Sequence, residues 1–392
     1  MRRGLLGGVL VALLLVPQTV VASTVAPVER VTLLVMFDES VGTAARTALH
    51  ARAGAVVTGS IPEVATDRVS VPALNVSLYE HFVGVHAVEF PRAYRVFGGT
   101  PNDPLVGMQW GLNKVDAFRA WHLESGKKKD VSVAVLDTGV DATHVDLEGR
   151  VVDGFDYLEL DDDTYDDNGH GTHVAGIIAA NVNNRTGVAG LSQGASIIPM
   201  KVCESSGICN GFAILAAAID SVQRGAEVIN MSLGGEGECG GVEQAVFDWV
   251  RDQGTLTVIS AGNEAEHGNP RITPANCDNT LGVGATDQKN RKAVFSSYGD
   301  FVDIAAPGVE IWSTVPPLVS ITSLYIGYAP YQGTSMAAPF VAGAAALVKA
   351  RHPNWSPDRI EKKLMATATD AGPRGRDDLF GAGILNLVRA LR

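Results

Sequence analysis

Residues 131–141 read VSVAVLDTGVD, an apolar run that stops on the carboxylate of Asp137 and then turns at Thr138 and Gly139. Short, continuously apolar runs are typical of strands buried on both faces of a parallel sheet. Similar runs alternate along the chain with stretches of helical pattern. The predicted strands are Val131–Leu136, Ser196–Val202, Val228–Leu233 and Leu256–Ser260, and the predicted helices are His173–Asn181, Ile214–Arg224, Val242–Gln253 and Ala338–Ala350. This alternation predicts an α/β fold with a parallel sheet.

The composition of the 392-residue chain is that of a packed globular protein. The chain is 46% hydrophobic and 19% charged, which excludes a disordered or collagen-like protein. Its formal net charge is −12, and the acidity lies in the segment 101–392. An acidic chain of this kind is not expected to bind nucleic acid, because phosphates are contacted by Lys and Arg.

The first residues have the pattern of a secretory signal peptide. Arg2 and Arg3 precede an apolar run from Gly4 to Val16, Pro17 ends the run, and small residues follow at a cleavage site after Ala22. An uncleaved anchor is the weaker interpretation, because the run is short for about 30 Å of hydrocarbon. We expect export, no membrane attachment after signal removal, and a compartment where disulfides persist.

Residues 23–100 have the pattern of a small α+β unit. The predicted elements are a strand at Val31–Phe37, a helix at Ala44–Ala53 and a strand at Val85–Phe90. Residues 98–104 read GGTPNDP, a turn-rich stretch that predicts an exposed linker. The larger domain therefore begins near residue 101.

Three segments carry residues of chemical interest. Asp137 ends the strand quoted above, His170 lies between two glycines in NGHGTHVAG, and Ser335 lies at a helix start in GTSMAAPFVAG. Each has a structural alternative: a turn or helix-capping role for Asp137, a metal site on one helix face for His170 with His173, and an N-cap role for Ser335. The metal pair is disfavoured, because a third ligand and a general-base Glu at the matching spacing are lacking.

Together the three residues have the composition of a Ser nucleophile that a His deprotonates and an Asp orients. Their chain order, Asp then His then Ser, is one of the orders in which this arrangement occurs. The sequence therefore predicts nucleophilic catalysis by Ser335, with His170 as the base and Asp137 as its partner.

The segments DTGVD, HGTHVAG, SAGN and GTSMAAP resemble the four signature segments of the subtilisin-like serine proteases, and the resemblance covers residues 101–392. It implies a three-layer fold with a central parallel sheet flanked by helices, preceded by a small α+β propeptide domain. It also implies a secreted, monomeric endopeptidase that acts on polypeptides through an acyl-enzyme and without a catalytic cofactor. The alternative is a catalytically silent protein of the same fold that serves as a binding module or scaffold.

The resemblance further implies an oxyanion hole and two substrate-binding strands. Asn263, at the end of SAGN, would donate to the oxyanion together with the backbone N–H of Ser335. The expected substrate-binding residues are Ser232, Leu233, Gly234, Ser260, Ala261 and Gly262. They predict an extended peptide bound as an added strand and an open pocket for apolar or bulky side chains.

By the same resemblance, the chain is a zymogen with three parts. Residues 1–22 are the signal peptide, residues 23–100 are a propeptide that inhibits and assists folding, and residues 101–392 are the peptidase domain. Self-cleavage is expected near Gly98–Thr100. The alternative is a permanent accessory domain.

A structural calcium ion is also implied, held by the loop 181–188. The expected ligands are oxygen atoms of Asp103, Asp146, Val182, Asn184, Thr186 and Val188. A second candidate is the acidic stretch Asp161, Asp162, Asp163, Asp166 and Asp167, for which a solvated acidic loop is the alternative.

Four cysteines, Cys203, Cys209, Cys239 and Cys277, allow three disulfide pairings, and free thiols are the alternative. The pairing 203–209 with 239–277 is favoured, because the first closes a small loop and the second matches some exported bacterial relatives. The chain departs from the family pattern at Phe340, which follows the motif's Pro, and in a longer segment 316–331. This segment approaches Ser335 and is expected to border the cleft.

Overall fold

The computed structural model describes residues 30–91, 100–127, 129–319 and 325–392. The chain divides into two compact units, one containing the described residues up to 91 and the other those from 100 onward. The predicted signal peptide lies outside the described residues, as do Gly98 and Gly99 beside the expected cleavage point. Within the described ranges, none of the helices has the length and apolar character that crossing a membrane requires.

The N-terminal unit is a four-stranded antiparallel sheet in the order β2-β3-β1-β4, with two helices. Its elements are β1 Arg30–Phe37, α1 Thr43–Arg52, β2 Val56–Ile61, β3 Thr66–Pro72, α2 Ser77–Glu80 and β4 Val85–Glu89. Alternate residues of β1, among them Leu33 and Val35, are fully buried under α1, where Leu49 lies in the same apolar core. The unit therefore has a small core of its own.

The second unit is built on a seven-stranded parallel sheet in the order β13-β12-β10-β8-β5-β7-β6. Its strands are β5 Val131–Asp137, β6 Phe155–Asp156, β7 Ala195–Lys201, β8 Val228–Met231, β10 Leu256–Ser260, β12 Thr280–Thr286 and β13 Ile304–Pro307. Two short antiparallel pairs lie beside it, β9 Gly235–Glu236 with β11 Ile272–Thr273 and β14 Ile311–Thr314 with β15 Tyr328–Tyr331. The helices are α3 Trp110–Lys114, α4 Ala117–Ala120, α5 His170–Ala179, α6 Gly211–Gln223, α7 Gly241–Asp252, α8 Thr334–Arg351, α9 Pro357–Thr367 and α10 Leu387–Ala390.

The sheet is buried on both faces. Val133 and Val135 of β5 belong to an apolar cluster with α5 and α8, whereas Ala134 and Leu136 belong to a second cluster with α6 and α7. Successive side chains of a strand point to opposite faces, so a strand between two helical layers must be apolar throughout. The predicted three-layer α/β fold, with a central parallel sheet flanked by helices, is confirmed.

Several predicted element bounds were wrong. The first predicted helix begins at His170 rather than His173 and the last at Thr334 rather than Ala338, because the glycines and small polar residues of a first turn interrupt the apolar periodicity. Strand β12 was not predicted. A Cβ at its Gly282 would lie 2.0 Å from the Phe301 carbonyl oxygen, so close packing demands a glycine that breaks the apolar run.

The topology brings the candidate residues to one edge of the sheet. Asp137 is the last residue of β5, Asn263 follows β10, and both strands pair in parallel with β8. Ligand sites in open parallel sheets form outside the carboxyl ends of the strands. Helices α5 and α8 begin at His170 and Thr334, so their first turns also carry candidate residues.

Candidate active site

Asp137 and His170 form a short hydrogen bond. Nδ1 of His170 lies 2.7 Å from Oδ1 of Asp137, which also accepts the backbone N–H of Thr138 at 2.8 Å. The carboxylate is buried, its Oδ2 lacks a partner among the described residues, and the imidazole is partly exposed. Because Nδ1 donates to the carboxylate, Nε2 is the nitrogen left to accept a proton.

The environment of His170 favours its protonated form. Burial lowers the pKa of the imidazole, but the charge and hydrogen bond of Asp137, with a further contribution from the charge of Asp166, outweigh burial. The net pKa is raised above the ordinary value of 6.5. The imidazole is therefore a stronger base than a free histidine side chain.

Glycines allow α5 to start against the end of β5. Gly169 has φ 103°, a left-handed conformation that favours glycine. A Cβ at Gly171 would lie 2.1 Å from the Gly139 carbonyl oxygen and 3.1 Å from Cβ of Asp137. The glycines on either side of His170 thus permit the close approach that the hydrogen bond to Asp137 requires.

Ser335 lies in the first turn of α8 and is tied to the segment after β8. Its Oγ donates to the Ser232 carbonyl at 3.1 Å, and Oγ of Ser232 donates to the Ser335 carbonyl at 2.8 Å. Between the described residues Ser335 and His170 no hydrogen bond is formed. Catalytic hydrogen bonds are often long or poorly aligned until substrate binds.

The side-chain amide of Asn263 has a fixed orientation. Its Oδ1 accepts from the backbone N–H of Thr334 at 2.9 Å and from Oγ1 of Thr334 at 3.0 Å. The amide nitrogen is thereby left to donate elsewhere. A Cβ at Gly333 would lie 3.4 Å from Nδ2, so the glycine keeps the space beside this donor open.

Ser335 and Asn263 line a common cleft with about 640 Å³ of empty space. The lining residues are Leu233, Gly234, Gly235, Glu236, Ser260, Gly262, Asn263, Glu264, Ile272 and Ser335. Of the six residues expected to bind substrate, Leu233, Gly234, Ser260 and Gly262 are in this lining. The other two, Ser232 and Ala261, are buried and are not.

The lining of the cleft includes two carboxylates that the sequence does not predict there, Glu236 and Glu264. Glu236 makes no side-chain hydrogen bond or ion pair with any described residue, and Glu264 pairs with Nδ1 of the exposed His267 at 3.1 Å. To the open pocket for apolar or bulky side chains that the sequence predicts, the structure adds these two carboxylates. Glu264 directly follows SAGN and could have been found from that position, whereas Glu236 reaches the cleft through the pairing of β9 with β11.

The expected calcium loop is held by two buried carboxylates. Asp103 accepts the backbone N–H groups of Asn183 and Asn184, and Asp146 accepts the amide of Asn184 at 2.7 Å and the backbone N–H of Val188 at 2.8 Å. Burial raises the pKa of Asp146 to about 6, and the charge of Asp103 adds to this. The backbone N–H of Thr186 donates to Oδ1 of Asn184.

The residues of the acidic stretch suggested as a second calcium site lie in three different environments. Asp166 is completely buried and its two oxygens are occupied by protein donors, so it has no free position for a cation. Asp167 pairs with Lys201 at 3.1 Å. The remaining residues, Asp161–Asp163, are exposed.

His173 does not face His170 as a second metal ligand would. Its Nε2 lies 2.9 Å from the Ile311 carbonyl oxygen and 3.1 Å from that of Ala329, and its ring stacks on Tyr331. Burial lowers the pKa of His173 to about 3, so the ring is neutral. It joins α5 to the β14–β15 pair.

Both disulfides are formed in the structure, Cys203 with Cys209 and Cys239 with Cys277, which is the pairing favoured above. The loop closed by the first bond contacts the start of α5, because the amide of Asn168 donates to the Ser205 carbonyl at 2.8 Å.

The two departures from the family pattern lie in different surroundings. Phe340 is buried in α8, where its ring packs against Gly111. In the longer segment, of which residues 320–324 lie outside the described part, Pro316 and Val319 pack beside Gly169. This segment therefore borders the residue that precedes His170.

Comparison with known proteins shows similarity over most of the chain. The sequence profile of the subtilase family matches residues 128–383. Thermitase from Thermoactinomyces vulgaris is 42% identical over 294 residues, which are 75% of this chain and 99% of thermitase. The structure of a protease from Pseudoalteromonas arctica matches with a TM-score of 0.67 and 33% identity, covering 75% of this chain and 99% of that one. Fervidolysin from Fervidobacterium pennivorans, described as a keratinolytic enzyme related to subtilisin, matches with a TM-score of 0.68 and 28% identity, covering 93% of this chain and 61% of that one.

Proposed function

This chain belongs to the subtilase family and is a serine endopeptidase, and we propose that it hydrolyses peptide bonds through Asp137, His170 and Ser335. The observation that carries the proposal is the 2.7 Å hydrogen bond between Asp137 and His170 at the sheet edge where Ser335 and Asn263 line one cleft. The silent-scaffold alternative is not favoured, because the chain keeps every residue that the chemistry requires: Asp137, His170, Asn263 and Ser335.

In the first step, Nε2 of His170 takes the proton of Ser335 as Oγ attacks the scissile carbonyl carbon. The hydroxyl must first leave the Ser232 carbonyl, to which it donates in the structure. The carboxylate of Asp137 holds the imidazole in the required tautomer and stabilises the imidazolium that forms.

The oxygen of the scissile carbonyl gains negative charge in this step. Nδ2 of Asn263 and the backbone N–H of Ser335 are the proposed donors to it, and the bonds from Thr334 hold the amide in place beforehand. Donors that need no reorganisation during the reaction give the largest electrostatic benefit.

The tetrahedral intermediate then collapses. His170 gives its proton to the leaving amine, the C–N bond breaks and an acyl-enzyme remains on Ser335. Water attacks the ester carbon while His170 takes a proton from it. The bond between the acyl carbon and Oγ of Ser335 then breaks, Oγ recovers the proton from His170, and the carboxylic acid product leaves. The chemistry uses no cofactor.

The substrate is proposed to bind as an extended strand between two segments of the chain. Leu233–Gly235 follow β8, and Ser260 and Gly262 lie at the end of β10, on the walls of the cleft. Backbone groups there can pair with a peptide main chain, which gives affinity for many sequences.

We further propose that the chain is exported and activated by its own cleavage, and that the mature enzyme is monomeric. The parts are the signal peptide 1–22, the propeptide 23–100 and the peptidase 101–392. Support comes from the sequence pattern of the first residues and from the separate core of the N-terminal unit. A removable inhibitor needs such a core of its own.

A structural calcium ion is proposed at Asp103 and Asp146, with oxygens of Val182, Asn184, Thr186 and Val188 as further ligands. The two carboxylates are buried, and neither forms an ion pair with a Lys or Arg of the described chain. A buried charge is costly unless it is compensated, and a hard cation suits oxygen donors. The amide of Asn184 would have to turn its oxygen toward the ion, since its nitrogen now faces Asp146.

The proposed function is tested by comparing wild-type protein with Ser335→Ala. The wild type is expected to be cut near residue 100 and to hydrolyse casein, whereas Ser335→Ala should remain full-length and inactive. Ser196→Ala, whose hydroxyl binds Asp130 outside the cleft, is the control and should behave as wild type. The protease mechanism fails if wild type and Ser335→Ala are equally uncut and inert.

A further inference from the structure

Asp166 is a completely buried carboxylate four residues before His170. Five donors occupy it, at distances between 2.6 and 3.1 Å. Oδ1 accepts from Oγ1 of Thr138 and from the backbone N–H groups of Asn168 and Gly169, and Oδ2 accepts from the backbone N–H and Oγ1 of Thr172. A carboxylate has about four lone-pair positions, so no further partner is needed.

These donors come from two separate elements. Thr138 directly follows Asp137 at the end of β5, and its Oγ1 also accepts the backbone N–H of Gly171 at 3.0 Å. Thr172 lies in the first turn of α5, two residues after His170. Asp166 is therefore a common acceptor that ties the end of β5 to the start of α5.

We propose that Asp166 is a positioning residue that holds the imidazole of His170 in register with Asp137. The inference rests on the proposed triad and goes beyond it, because Asp166 touches neither the substrate nor the reacting atoms. The hydrogen bond between His170 and Asp137 joins the start of α5 to the end of β5, the same two segments that Asp166 joins, and Asp137 also accepts the backbone N–H of Thr138. Any slip of α5 along β5 would break bonds to Asp166 at the same time.

The same carboxylate acts on His170 through its charge. Besides Asp137, Asp166 is the acidic group whose charge raises the pKa of the imidazole. His173, in the same helix, is neutral because burial lowers its pKa to about 3. Tyr331, stacked on His173, has its pKa raised by burial and by the charge of Asp166. Burial raises the pKa of Asp166 above its ordinary value, and the donors around it offset only part of this rise.

An ordinary helix-capping role would predict a different outcome. A cap stabilises the helix, and its loss lowers the free energy of unfolding without changing kcat of the folded enzyme. A positioning role predicts a loss of kcat at nearly constant KM in the folded enzyme. The split between kcat and KM therefore separates the two interpretations, and the pH profile reports the lost charge.

The experiment compares Asp166→Asn with Asp167→Asn. Both remove one negative charge next to His170 in sequence, but Asp167 is half-exposed and pairs with Lys201 instead of joining β5 to α5. The full chain carrying each variant is cleaved to its mature form by a trace of wild-type enzyme that carries an affinity tag. The tagged wild-type enzyme is then removed on an affinity column. The kcat and KM for a chromogenic peptide are then measured from pH 5 to 10, beside thermal unfolding.

Asp166→Asn is expected to lose about 100-fold in kcat, the scale of a misplaced catalytic group, with KM changed less than threefold. Its acid limb should move to lower pH, because the lost charge no longer raises the pKa of His170. Asp167→Asn should match wild type within about twofold. The proposal is overturned if Asp166→Asn keeps wild-type kcat, or if kcat falls while the acid limb stays in place.

A second variant decides the case if Asp166→Asn does not fold. Thr138→Val removes the hydroxyl that joins β5 to Asp166, and with it the bond from the backbone N–H of Gly171, but leaves the four bonds to Asp166 from the α5 side. A tenfold loss in kcat at constant KM supports positioning, and an unchanged kcat overturns it. An inactive wild type would instead refute the proposed protease function, which the Ser335→Ala comparison tests separately.

Discussion

Replacing Thr334 by Val should weaken the oxyanion donor without touching it. Thr334 is completely buried, and Val has nearly the same shape but no hydroxyl. Asn263 would lose the bond from Oγ1 at 3.0 Å and keep the one from the backbone N–H at 2.9 Å. The backbone N–H of Gly262, which donates to the same hydroxyl at 3.1 Å, would lose its partner.

The magnitude follows from these bonds. A neutral hydrogen bond contributes about 1 kcal/mol net, so losing one of two anchors should reduce kcat about fivefold. Removing the donor itself, in Asn263→Ala, should cost about 3 kcal/mol of transition-state stabilisation; that figure is the general one for an oxyanion donor and comes from a subtilisin. Thr334→Ser keeps the hydroxyl and should lose less than twofold.

The assay is a double-mutant cycle in kcat. If Thr334 acts by orienting Asn263, adding Thr334→Val to Asn263→Ala should cause almost no further loss, because the oriented amide is already gone. Independent fivefold losses in both backgrounds would refute the reasoning. Thermal unfolding of each variant shows whether the unpaired Gly262 N–H has destabilised the fold instead.

Three further predictions concern pH, charge and metal. The kcat/KM should fall as pH drops through a pKa above 6.5, because His170 must be neutral to act as base and Asp137 raises its pKa; a limb at or below 6.5 would contradict this. Replacing Glu236 and Glu264 by Gln should lower, about fivefold, the ratio of kcat/KM for a peptide that places Lys in the cleft to that for a peptide that places Gln there. Glu266→Gln, outside the cleft lining, is the control. An unchanged ratio in the Glu236 and Glu264 variant would rule out an electrostatic role. Chelating calcium should lower Tm but not the initial rate at 25 °C. In Asp146→Asn the chelator should no longer lower Tm. If the chelator lowers Tm equally in the variant and in the wild type, the ion binds elsewhere.

The sequence predicts those parts of the site that lie at the ends of regular elements. An apolar strand that stops on Asp137, and a helix that begins near His170, are both visible as changes of pattern. Asp166 was mistaken for a possible metal ligand, because an acidic stretch has no periodicity and its burial depends on how α5 packs. Glu236 was missed for a related reason: it reaches the cleft only through the pairing of β9 with β11, two residues long each.

Two of the proposed catalytic side chains are held in place by a threonine of the signature motifs, which explains why these motifs extend beyond the reacting residues. Asp137 is held by the backbone of its neighbour Thr138, and the hydroxyl of Thr138 binds Asp166. The amide of Asn263 is held by Thr334, the residue before Ser335. Small hydroxyl residues beside the reacting groups thus join strand ends to helix starts, where backbone N–H groups are otherwise unpaired. It follows that substituting Thr138 or Thr334 should reduce kcat although neither contacts the substrate, whereas equally buried hydroxyls remote from the cleft should affect stability alone.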